Sequence, residues 1–85
     1  MEKEIEERIS EEIDIVNYKY QKRLEKIAEN YQKALDEIEN TPDETKKVLE
    51  CLKGFIFQQK NCLNDFLIDI KEIQREYEKF LDSEN

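Results

Sequence analysis

The residues able to do chemistry in this chain are few in kind. There are two cysteines, Cys51 and Cys62, 22 acidic side chains, and no histidine. The commonest general base and metal ligand is therefore missing. Two cysteines cannot close a zinc site alone, and these two lie 11 residues apart. On one helix that spacing is about 16 Å of rise, out of disulfide reach. Both read as small apolar packing residues in a reducing compartment. Ser10 and Ser83 have no His to activate them. Gly54, the single glycine, has no phosphate-binding loop around it. Carboxylates on a helical surface have no cleft to shift their pKa values, and nothing resembles a dedicated calcium loop. The expectation is a protein that is not an enzyme, with no catalytic residues, no cofactor and no metal site.

What is left is contact, and the elements that would present a contact surface follow from composition. The chain has 85 residues, 42% of them charged and 38% hydrophobic, with one Gly and one Pro. That is one domain at most, with the composition of long helices. A β-rich fold would need turn residues at short intervals. The net charge of −8 disfavours nucleic acid and anionic membrane surfaces. No apolar run approaches a spanning helix, and Met1-Glu2-Lys3-Glu4 does not open a signal peptide. A soluble cytoplasmic protein is expected.

Apolar positions in the first half are Ile5, Ile9, Ile13, Val16, Tyr20, Leu24, Ile27, Tyr31, Leu35 and Ile38. Steps of 4, 4 and 3 repeat without a break, an 11-residue repeat with a period near 3.67. The stripe hardly drifts around the helix, so one continuous apolar face is predicted over about residues 2–39. In the second half Leu49, Leu52, Ile56, Gln59, Leu63, Phe66, Ile70, Ile73, Tyr77 and Phe80 follow steps of 3 and 4. This heptad pattern predicts a pairing helix over about 42–81 and a short C-terminal tail. Gln59 is the one polar member of that series.

Between them, Thr41 fits an N-cap with Pro42 at the first helical position and Glu44 three residues on, a capping box. Asn40 suits the left-handed end of the first helix. The turn is placed at 40–42. Antiparallel pairing about it matches residues whose numbers sum to about 83, so Tyr31 faces Leu52 and Tyr20 faces Leu63. The fold class is all-α: a coiled-coil-like antiparallel two-helix hairpin. Dimerisation or a partner would complete it as a four-helix bundle.

The second helix carries more apolar residues than one seam uses. Val48, Cys51, Phe55 and Cys62 form a second stripe, with Leu67 on the opposite flank and Phe57 and Ile68 further around. Val48, Cys51, Phe55, Cys62, Leu67 and Ile68 are the expected partner-binding residues. On that basis Phe55→Asp would spare helicity and break association. The partner would be a second copy or another helical protein, with no nucleic acid or membrane contacted.

Charge is segregated as well. Residues 1–14 and 65–85 together sum to −9, and residues 15–64 to +1. Glu2, Glu4, Glu6, Glu7, Glu11, Glu12 and Asp82 mark an acidic pole at the open end. A protein–protein interaction module or assembly subunit is the leading expectation. One alternative is a small acidic inhibitor or regulator that docks this pole on a basic site of an enzyme or nucleic-acid-binding protein. A secretion or assembly chaperone is the other. The chain has neither the Trp-X-Gly turn of secreted α-hairpins nor the Ser-Gln-Glu-Leu-Asp motif of small sporulation phosphatases, and no family is recognised in it.

Overall fold

The computed structural model of the chain describes residues 2–84, with side-chain surroundings for 3–82. Two helices account for almost all of it: α1 from Glu2–Ile38 and α2 from Glu44–Glu84. They pack against each other as a long flat hairpin, with Cα extents of 66 × 17 × 9 Å. No strand occurs among the described residues. Among these residues no helix is long and apolar enough to cross a membrane.

The connection runs over residues 39–43, and its chemistry differs from a capping box. Thr41 does not cap α2. Its hydroxyl and its backbone N–H both donate to the Ile38 carbonyl, closing the end of α1. The first bond of α2 runs from the Lys47 N–H to the Asp43 carbonyl at 3.0 Å. Asp43 therefore holds the cap position, and α2 starts at Glu44 rather than at Pro42. Pro42 cannot donate and keeps Thr41 out of the helical region. The chain reverses through left-handed backbone at Asn40 (φ 63°) and Asp43 (φ 58°). Among residues other than glycine, Asn and Asp tolerate that region best.

The 11-residue face of α1 turns toward α2 as its spacing requires. Tyr20 and Ile27 are buried, and Ile9, Ile13, Val16, Tyr31 and Leu35 are half-buried. Leu24 sits at the rim, 37% exposed. On α2 the structure corrects the heptad reading. Cys62 is the most deeply buried side chain, 1% exposed, and it forms the core with Tyr20 and Ile27. Val16, Phe55 and Phe66 pack against that core. Leu63, the next residue and a heptad core position, is 58% exposed. Leu49, Leu52 and Ile56 are exposed too.

The reason lies in matching periods. Hidden in α2 is the same 11-residue repeat as in α1: Cys51, Cys62 and Ile73 form one series, and Phe55, Phe66 and Tyr77 the other. On a straight helix of about 3.6 residues per turn a heptad stripe drifts about 20° every seven residues, and an 11-residue stripe about 20° every eleven in the opposite sense. The buried face of α1 follows the 11-residue course, so only the stripe of the same period on α2 stays against it. The two stripes coincide between Phe66 and Tyr77, where Ile70 and Ile73 are half-buried. From Phe66 back to Leu49 the two periods separate by about 80°, which carries Leu63, Ile56 and Leu49 out of the seam.

Ring pairs fix the register. Tyr31 and Phe55 stack with centroids 4.6 Å apart, and Tyr20 meets Phe66 edge-on at 5.6 Å. Both pairs sum to 86, three residues beyond the expected 83 and close to one helical turn.

Candidate functional site

The hairpin has two broad faces of opposite character, and the seam between the helices decides which residues fall on each. On one face the helices are clamped by polar contacts. The Tyr20 hydroxyl donates to Asp69 Oδ2 at 2.6 Å, Lys19 Nζ lies 3.7 Å from the same oxygen, and Arg23 bonds Asp65 at 2.8 Å. The hydrogen bond to Asp69, with burial behind it, pushes the Tyr20 phenol up to about 12. Asp65 likewise holds the Arg23 guanidinium above its ordinary value. Nearer the open end, burial and then the Glu12 carboxylate raise the Tyr77 phenol. Every anion in this group has a neighbour in the same molecule. One exception is Glu12 Oε2, which is buried without a hydrogen-bond partner. Among the described residues no three His, Cys, Asp or Glu side chains gather as metal ligands.

The other face is apolar. Asp65 is two residues from both Leu63 and Leu67, about 200° around the helix, so these leucines point away from the ion pairs. A groove there is lined by Asn17, Gln21 and Leu24 of α1 and by Gln59, Leu63 and Phe66 of α2, with Tyr20 and Cys62 at its floor. Along the α2 flank of this face run Leu49, Leu52, Ile56, Leu63 and Leu67, exposed by 39–58%. Gln59 is half-buried within the row.

The residues singled out from the sequence divide accordingly. Val48, Cys51, Phe55 and Cys62 were expected to form an outward stripe. Instead Cys62 is buried under Tyr20 and Ile27, Phe55 stacks on Tyr31, and Cys51 lies beside Ile27 and Ala34. Val48 is half-buried on the same side of α2. This stripe forms the hairpin seam because its spacing matches that of α1. Phe55→Asp therefore strikes the hairpin itself. Leu67 and Ile68 are both exposed, at 46% and 54%, but only Leu67 lies on the apolar flank. Ile68 is a further 100° or so around the helix.

Of the acidic pole, Glu4, Glu6, Glu7, Glu11 and Asp82 are exposed. Glu12 turns inward beside Ile73 and Glu76, and the Glu2 side chain lies outside the described residues. The exposed row of Leu49, Leu52, Ile56 and Leu63 was missed as a surface because it was assigned to the seam. The signal that finds it is the second 11-residue repeat, recognised once the periods of the two helices are required to agree.

Comparison with known protein families, curated proteins and solved structures finds no match for this chain.

Proposed function

We propose that this protein is a non-catalytic contact module. Its apolar face takes helices from another chain and completes a four-helix bundle. The observation that carries the reading is surface. The hairpin exposes 7250 Å², whereas a compact monomer of 10.4 kDa exposes about 5,400 Å². The excess of about 1,800 Å² per chain is what an obligate interface covers when both partners contribute alike. Some of it comes from the elongated shape. The exposed surface includes a row of half-exposed leucine and isoleucine on α2, interrupted by Gln59, which monomeric surfaces rarely carry. Burying the exposed half of each such side chain contributes about 1 kcal/mol.

The test uses Ile56→Asp and Leu63→Asp. Both positions face solvent in the hairpin, so helicity by circular dichroism stays near the wild-type value. Association, measured by light scattering for self-assembly and by capture for other proteins, is lost. Raising the salt concentration leaves wild-type association in place, because apolar contact is not screened. Binding that vanishes in high salt but survives Ile56→Asp would favour the acidic pole as the working surface and refute this reading.

A further inference from the structure

We infer that the occupant of the apolar face is a second copy of this chain. The two α2 helices cross antiparallel about a two-fold axis between Gln59 and Lys60. The inference rests on the contact reading above and specifies its partner and geometry. Its first support is the order of residues along the flank. Leu49 and Ile70, Leu52 and Leu67, and Ile56 and Leu63 each sum to 119. Laid antiparallel on itself about 59.5, the row therefore sets an apolar residue against an apolar residue in the three layers on each side of the axis, and the central layer holds Gln59 and Lys60. Sliding the pair by one heptad breaks the match. One direction sets Gln59 against Leu67 and Leu52 against Gln74; the other sets Leu52 against Lys60 and Ile70 against Pro42.

The second support is Gln59. It is the polar member of the row, it sits at the row's centre, and it is half-buried in the groove beside Asn17 and Gln21. On the two-fold axis the two Gln59 carboxamides lie about one residue apart along the helices, about 1.5 Å, and can donate to and accept from one another. A single buried polar pair of this kind specifies register in helical bundles.

Charge supplies the third support. The open end carries −9 and the middle +1. A parallel pairing would lay two such ends side by side. The antiparallel pairing sends them to opposite ends, each projecting past the partner's turn. The α1 helices then lie on the same side of the α2 pair, giving the square arrangement of a four-helix bundle.

Spin labels test the geometry on the full chain. With Cys51→Ser as background and Cys62 buried at 1% exposure, labels are placed singly at Lys46→Cys and Glu78→Cys. Light scattering should give twice the 10.4 kDa chain mass. Pulsed distance measurements should give about 40 Å between copies at position 46 and about 55 Å at position 78, from 1.5 Å per residue about the axis. Gln59→Leu should keep the dimer but broaden both distributions as neighbouring registers become accessible. A dimer with both distances under about 25 Å is parallel and overturns the inference while sparing the contact reading. A wild-type monomer at 100-fold the labelling concentration also overturns it; the contact reading then stands or falls on whether Ile56→Asp abolishes capture of another protein. A dimer indifferent to Ile56→Asp overturns both.

Discussion

Cys62 and Leu63 are neighbours, and the heptad and 11-residue readings of α2 assign them opposite places. Replacing each with aspartate separates the two. In the structure Cys62 is 1% exposed between Tyr20 and Ile27. Cys62→Asp places a carboxylate there, and an uncompensated buried charge costs on the order of 3–5 kcal/mol. Arg23 is close by but already engaged with Asp65, so the lower end of that range is expected. Leu63 is 58% exposed. A carboxylate there stays in water and forfeits less than half of a leucine's burial, about 1 kcal/mol. A difference of about 2 kcal/mol or more is about 10 °C in Tm for a domain of this size. The assay is thermal and urea denaturation followed by circular dichroism, at protein concentrations spanning two decades. At the lowest concentration Cys62→Asp should be far less stable than Leu63→Asp. At the highest, wild type should gain stability that Leu63→Asp does not, because only Leu63 serves association. If Leu63→Asp is as damaging as Cys62→Asp at the lowest concentration, the heptad stripe forms the seam and the exposed face described above does not exist.

Three further outcomes are expected. The folded Tyr20 phenol lies above the ordinary value of 10, at about 12, so its contribution is complete below pH 10 and is lost as pH rises through 12; the hairpin should loosen in that window, and Tyr20→Phe should abolish the latest phase of the tyrosinate absorbance titration. Asn40 holds a left-handed backbone at φ 63°, so Asn40→Val should lower stability by about 1–2 kcal/mol in urea denaturation, and an unchanged midpoint would contradict the turn geometry. Gly54 lies inside α2 with no atom within 4 Å of an added Cβ, so Gly54→Ala should stabilise the hairpin by about 0.5–1 kcal/mol; weaker association in that variant would show that Gly54 meets a partner.

The amino-acid order by itself determined a good deal. Scarce Gly and Pro and long 3-to-4 spacings require helices. The breaks around Asn40-Thr41-Pro42 require a reversal between them. The unbroken 4, 4, 3 series names the face of α1 that turns inward, and that face is the one packed against α2. What the order left open is which face of α2 answers it. That helix carries two apolar stripes, a heptad and an 11-residue series, which share Phe66, Ile73 and Tyr77 and part company toward the turn. Each is a plausible seam when α2 is considered alone. Local patterning cannot choose between them, because burial is a property of the pair. Tertiary packing decides: two packed helices stay in contact over their full length only if their stripes drift alike. The 11-residue stripe of α2 therefore closes on α1, and the heptad stripe, carrying Leu49, Ile56 and Leu63, is left facing outward.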